Sequence, residues 1–152
     1  MWQELQNMVA KAKQFIYKAA MQTLHFDLVT PQATFFSGEA LRVEAPGTLG
    51  DFGVLAGHMP FISTLKPGVV SVLDSQNATR KLFVAGGIAE VNPKSCTILA
   101  EQVVDLEGYS RADAETRLTK AQDAAENAFS EEAKILAAKE LDIAQELLRV
   151  VG

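Results

Sequence analysis

Two histidines, one cysteine and a set of closely spaced glycines are the residues of this sequence whose types could support chemistry. A hydrolase needs a nucleophile with a base beside it, and His25 and His58 are the only imidazoles in the chain. His25 lies on the polar phase of the alternation Leu24-His25-Phe26-Asp27-Leu28, where a solvated side chain is expected. His58 follows Gly57 and precedes Pro60 in a turn-rich stretch, and reads as a structural or interface residue. Neither has a cysteine or paired carboxylates nearby to complete a metal site. Cys96, as the one cysteine, can form no internal disulfide, which fits a reducing compartment. Gly47-x-x-Gly50-x-x-Gly53 lacks the following Lys-Ser/Thr of a phosphate loop, and no helical pattern begins after it. Asp51, inside that run, reads by itself as a solvated turn aspartate. These residues describe a binding or structural protein with no catalytic residues, no metal and no cofactor.

The elements that must hold them fall into three stretches. From Met21 to about residue 104 the pattern has a period of two: Leu24, Phe26 and Leu28 alternate with polar residues, and Leu41, Val43 and Ala45 do the same. Further apolar runs follow at Phe61–Leu65, Val69–Leu73, Leu82–Ala85, Ile88–Val91 and Thr97–Ala100. Breaks at Ser37-Gly38, Pro46-Gly47, Pro67-Gly68, Asp74–Asn77, Gly86-Gly87 and Asn92-Pro93 separate them, with Gly86-Gly87 read as a bulge or tight reversal. Short strands at this spacing predict an antiparallel β-sandwich over 21–104 and exclude alternating βα units.

Residues 105–152 predict an α-helical hairpin. Ser110 with Asp113 is a capping signal that starts a helix near Arg111, and Ser130 before Glu131-Glu132 caps a second. Ala114, Leu118, Ala121, Ala125 and Ala128 face Ala137, Leu141, Ala144, Leu148 and Val151, widened by Leu136, Ile143 and Leu147. Alanines let the backbones approach but bury little area, so the pair is expected to be the less stable part and able to detach.

Residues 1–20 form a separate amphipathic stretch, with Trp2, Leu5, Val9, Ala12, Ile16 and Ala19 on one helical stripe and Met8 and Phe15 widening it. Three readings stand: an appended or mis-started segment before Met21, a helix packing on the body or a partner, and a basic helix for a membrane surface or for organelle targeting. The net charge of −5 over 152 residues argues against nucleic-acid binding, and 48% hydrophobic content is enough for a packed core. The sequence has no clustered Lys/Arg run of the kind that holds a protein on an anionic membrane, so membrane association is expected only through partners.

Seven segments, taken in order, resemble the delta/epsilon family of F-type ATP synthase. They are Phe26-Asp-Leu-Val-Thr-Pro31, Phe36-Ser-Gly38, Pro46-Gly-x-x-Gly-Asp-Phe-Gly-Val-Leu55, Gly57-His-x-Pro60, Leu65-Lys-Pro-Gly68, Phe83-Val-Ala-Gly-Gly87 and Ala89-Glu-Val91. The resemblance covers about residues 22–151. It implies a non-catalytic rotor subunit that grips the gamma subunit, seats on the membrane c ring and couples proton flow to ATP synthesis. It also implies a peripheral location, on the cytoplasmic side of a bacterial inner membrane or the matrix side of the mitochondrial one. By the resemblance Asp51, flanked by Gly50 and Phe52, faces the c ring. His58 contacts gamma, and Thr30 and Ser63 lie near that same face.

The hairpin departs from the family's ATP-binding pattern. Five residues separate Asp105 from Arg111 where that pattern has two, and the second helix offers Arg149 as its one arginine. A phosphate chain needs several converging donors. Family hairpins that restrain ATP hydrolysis dock basic residues on the β subunits. Here Lys134, Lys139 and Arg149 stand among five acids, which disfavours that docking. The reading from another class is a free-standing sandwich that binds a different protein partner, with the hairpin as a recruitment tail.

Overall fold

The computed structural model describes residues 1–20 and 22–151, and the side chains of all of these except 14–20. Strand β1 (Leu24–Val29) buries Leu24, Phe26 and Leu28 completely and turns His25 outward, as the alternation requires. It is followed by β2 (Thr34–Ala45), β3 (Phe52–Val54), β4 (Phe61–Asp74), β5 (Thr79–Val91), β6 (Ser95–Ala100) and β7 (Val103–Asp105). The strands join in the order β1-β6-β5-β4-β2-β3, with β7 on β5, and β1 also pairs with β2, so the sheet closes on itself. The described pairings are antiparallel except at the seam, where β1 and β6 run parallel with Phe26 opposite Cys96. A parallel pair needs a long crossover connection, and here the four strands between β1 and β6 supply it.

Pro67-Gly68, expected to break a strand, is a bend instead, and of the two readings of Gly86-Gly87 the tight reversal does not occur. Pro67-Gly68 lies inside β4 and Gly86-Gly87 inside β5, and the two strands keep one register from Phe61 opposite Val91 to Leu73 opposite Thr79. The bends coincide because Lys66 and Gly86 leave the ladder together. The Lys66 amide donates to the Pro46 carbonyl at 3.0 Å, and the Gly86 carbonyl accepts from the Glu101 amide at 3.2 Å. Gly87 has φ +147°, and a Cβ there would stand 2.3 Å from the Leu99 carbonyl oxygen, so glycine lets β6 close over the bend. On the Leu73–Thr79 side of the bend β4 pairs with β2 and β5 with β7, and on the Phe61–Val91 side β5 pairs with β6. The result is a sandwich filled by Leu24, Phe26, Val43, Val72, Val84 and Ile98 among others.

Ser110 caps α2 (Arg111–Glu126) by accepting the Asp113 amide, and Ser130 caps α3 (Glu131–Val150) by accepting the Ala133 amide, each at 3.0 Å. Ala114, Ala121, Ala137 and Ala144 are buried. Arg117 bridges the helices, its Nε donating to Glu140 at 2.8 Å. Ile143 and Leu147 pack with Ala114 against Phe83 and Ala85 in a second core. Strand β5 is therefore covered on both faces, which explains why Leu82–Ala85 is a continuous apolar run without alternation.

Leu136 differs from expectation: it is exposed, with Ile135 and Phe129. It shares the helical face of Ile143 and Leu147 but sits two turns, about 10 Å, nearer the hairpin tip, past the residues that the sheet covers. The N-terminal helix α1 (Trp2–Ala20) leaves Trp2, Leu5, Met8 and Val9 in solvent. Its apolar stripe is thus not packed on the body over residues 1–13. The continuation of the stripe through Phe15, Ile16 and Ala19 lies outside the residues whose side chains are described.

Candidate functional site

Asp51 stands at the tip of a turn that is held from below. Pro46 and Gly47 are buried, and Gly47 forms a bridge to Leu65 on β4. The Thr48 amide donates to the Thr64 carbonyl at 3.0 Å, and the two threonine hydroxyls are 2.6 Å apart. The Gly50 amide closes the turn on the Gly47 carbonyl at 3.1 Å. A Cβ on Gly47 would lie 2.5 Å from the Gly50 carbonyl oxygen, so the turn cannot form with a larger residue in that place without shifting. These bonds extend the edge of β4 and fix the turn's direction, while leaving the Asp51 carboxylate 79% exposed.

The flanking residues link this turn to the next. Phe52 packs edge-on against Phe61 with ring centroids 5.1 Å apart, and His58 lies edge-on to the same ring at 6.1 Å. The His58 amide donates to the Leu55 carbonyl at 3.1 Å, and its Nδ1 donates to the Met59 carbonyl at 2.7 Å. The preceding Gly57 amide is anchored on the Pro93 carbonyl at 2.8 Å. Gly50, Asp51, Phe52 and His58 are thereby brought onto one braced rim around Phe61. Ser63 follows on β4 in the same phase as Phe61, half-buried, and donates to the Thr64 carbonyl at 2.9 Å. Thr30 is apart, in the β1–β2 turn, where its hydroxyl accepts the Ala33 amide at 3.2 Å.

Sequence reasoning missed two features here. One is an apolar outer face, on which Ile62, Ile88 and Leu99 are exposed beside Thr64 and the Pro31-Gln32 turn. Its signal was present in the chain: Ile98-Leu99 and Ile88-Ala89 put apolar residues on both phases of a strand. The other is a cleft between the turn and the end of α3, lined by Asp51, Lys66, Glu146, Arg149 and Val150 among others. Lys66 Nζ is 4.0 Å from Asp51, and Arg149 pairs with Glu146. The Arg149 guanidinium, with a smaller contribution from the Lys66 charge, holds the Glu146 carboxyl below its ordinary value. Alternating charges from turn, strand and helix meet there, and helical periodicity cannot reveal a neighbour eighty residues away. The end of α3 meets the Asp51 turn along this flank. Leu49, Leu55, Met59 and Ile62 remain exposed.

His25 is flanked by Asp27 at 3.2 Å and Glu39 at 3.4 Å on the open face of β1 and β2. Ser37 donates to the same Asp27 oxygen at 2.6 Å, so this is a surface polar network, well away from the rim.

The comparisons with known proteins bear on the whole sandwich. Residues 23–106 match the family model of the ATP synthase Delta/Epsilon chain, beta-sandwich domain. The ATP synthase epsilon chain of Rhodospirillum rubrum is 42% identical over 127 residues, which span 84% of this chain and 95% of that one. The epsilon chain of a Bradyrhizobium sp. is 50% identical over 86 residues, 57% of this chain and 63% of its own length. Among solved structures, a chain of the Euglena gracilis mitochondrial ATP synthase, OSCP/F1/c-ring in rotational state 1, superposes with a TM-score of 0.72 at 21% identity. That match covers 86% of this chain and 82% of the other. A chain of the Tetrahymena thermophila mitochondrial ATP synthase central stalk and c-ring gives 0.61 at 14% identity, covering 86% and 98%. Identities this low speak for the fold.

Proposed function

Since the chain belongs to the ATP synthase delta/epsilon family, we propose that it is a non-catalytic subunit of the central stalk, joining gamma to the c ring and coupling proton flow to ATP synthesis. The observation that carries this reading is the braced rim around Phe61. Transmitting torque requires a surface that does not yield, and a turn bonded at Gly47, Thr48 and Gly50 onto a closed sheet is such a surface. Gly50, Asp51 and Phe52 meet the polar loops of the c ring, where an exposed carboxylate suits a wet, charged interface. His58 and Ser63, with Thr30 on the neighbouring turn, face gamma. The exposed Ile62, Ile88 and Leu99 lie on the opposite face of their strands from Ser63, beside the turn that carries Thr30, and add apolar area on that side. The chain then sits peripherally on the membrane through its partners, on the cytoplasmic or matrix side.

The hairpin does not need to inhibit hydrolysis for this role. It is folded onto Phe83 and Ala85, and Lys139, one of its few bases, is already paired with Glu101 at 2.8 Å. Affinity capture of the tagged chain from its source cells tests the proposal. Co-purification of gamma and the c ring is expected, and capture of an unrelated protein in their place identifies a free-standing binding module instead. Coupled proton pumping in membranes carrying Asp51→Arg separates the c-ring contact from general assembly, since a reversed charge at this tip lowers coupling while gamma still co-purifies.

A further inference from the structure

Helix α1 lies outside the matched sandwich and outside the rotor role proposed above. Its exposed apolar residues share one side: Trp2, Leu5, Val9 and Ala12 recur at spacings of three and four, with Met8 beside them. Trp2 is 76% exposed, Met8 67% and Val9 53%, far above what a helix packed on its own protein would leave in water. Lys11 and Lys13 border that stripe on opposite edges, by their angular positions on a helix. The segment carries three lysines against one glutamate, in a chain whose net charge is −5. No helix among the described residues is long and apolar enough to cross a membrane.

From this combination we infer that α1 docks on the surface of an anionic lipid bilayer. The stripe from Trp2 to Val9 sinks to the headgroup–acyl boundary, where an indole is at home. Lys11 and Lys13 extend their stems along the apolar edge and place their ammonium groups among lipid phosphates. Charge complementarity selects this occupant over the acidic body of a second copy of the chain only in part, because like helices could also pair along the same stripe. Parallel stripes would bring Lys11 and Lys13 of two copies together, whereas anionic headgroups neutralise them; antiparallel pairing, which sets Lys11 near Glu4 of the second copy, is separated from lipid docking by the experiment below. The inference holds whether or not the sandwich serves in a rotor.

Trp2 is the only tryptophan of the chain, so its fluorescence reports this helix and nothing else. The full-length protein is titrated with phosphatidylcholine vesicles, with and without phosphatidylglycerol, and bound protein is also measured by sedimentation. A blue shift with phosphatidylglycerol vesicles, quenched by lipids brominated on the acyl chain and reduced by salt, is the expected result. Lys11→Gln and Lys13→Gln should each weaken partitioning about fivefold, and Leu5→Asp with Val9→Asp should abolish it. The far-UV circular dichroism of the sandwich then serves as the folding control. An unshifted spectrum in all vesicles overturns the inference. Equal binding to phosphatidylcholine alone overturns the anionic surface. A lipid-free blue shift that rises with protein concentration, together with a doubled mass by light scattering, assigns the stripe to self-association and overturns it as well.

Discussion

At the scale of single residues, Cys96 shows how burial sets reactivity. It lies fully buried on β6 opposite Phe26, and loss of hydration pushes its thiol up to about 12. The thiolate is the reactive form, so the native protein should not react with Ellman's reagent at neutral pH, and one thiol should appear on unfolding. Rapid labelling of the folded chain would show that β6 opens. Asp51 is the opposite case. Its carboxylate meets water and, at 4.0 Å, the less exposed Lys66, an arrangement worth at most about 1 kcal/mol. Asp51→Arg should therefore leave the urea midpoint of the isolated chain within error, so that any loss of coupling belongs to the interface. Asp51 was legible in the sequence as a turn residue, and its site role came only through the resemblance. The bracing beneath it, from Gly47 and Thr48 to Leu65 and Thr64, was not legible, because it joins residues that only the fold brings side by side.

At the scale of elements, the hairpin depends on few large side chains. Its alanines allow close approach, and the contact that fastens it to β5 is Ile143 and Leu147 on Phe83 and Ala85. Leu147 is completely buried, so Leu147→Ala should cost about 2–5 kcal/mol of docking. Hydrogen exchange is expected to accelerate across α2 and α3 while β1, β4 and β5 keep their protection. Equal acceleration of both parts would mean that hairpin and sandwich unfold as one unit. Gly87→Ala tests the other joint. A Cβ 2.3 Å from the Leu99 carbonyl must displace β6, and the loss should appear as a lowered thermal midpoint with early exchange at Leu99 and Ala100. The caps at Ser110 and Ser130 were readable because a capping side chain bonds only three residues away. The bend at Pro67 was read as a break, and that at Gly86 was left between a bulge and a reversal, because turn residues look the same whether a chain reverses or a long strand folds over a corner.

At the scale of the whole molecule, two carboxylates outside the cores report how the parts hold together in acid. Arg80 donates to Asp105 at 2.9 Å and to the Phe35 carbonyl at 3.1 Å, tying β2, β5 and the end of β7 where the chain leaves for the hairpin. That hydrogen bond lowers the Asp105 pKa, and Arg149 lowers that of Glu146 in the same way. A carboxyl whose folded pKa is depressed adds stability above its unfolded pKa and loses it as the pH falls through the folded value. Urea midpoints should thus hold steady near neutrality and fall below about pH 4. Asp105→Asn should lower the neutral plateau and flatten the acid limb. An unchanged acid limb would place the sensitivity at other carboxylates.

The amino-acid sequence determined what depends on neighbours along the chain: the alternation of β1, the caps and stripes of α2 and α3, the turn chemistry around Asp51, and the ordered motifs that carry the family. Such signals repeat every two to four residues, within the reach of one strand or one helical turn. The closed seam of β1 with β6, the corner shared by Lys66 and Gly86, the cover that the hairpin lays on Phe83, and the charged cleft between Asp51 and Arg149 were decided by tertiary structure. Each joins groups separated by twenty to a hundred residues, and which distant groups meet follows from how all the apolar faces are covered at once.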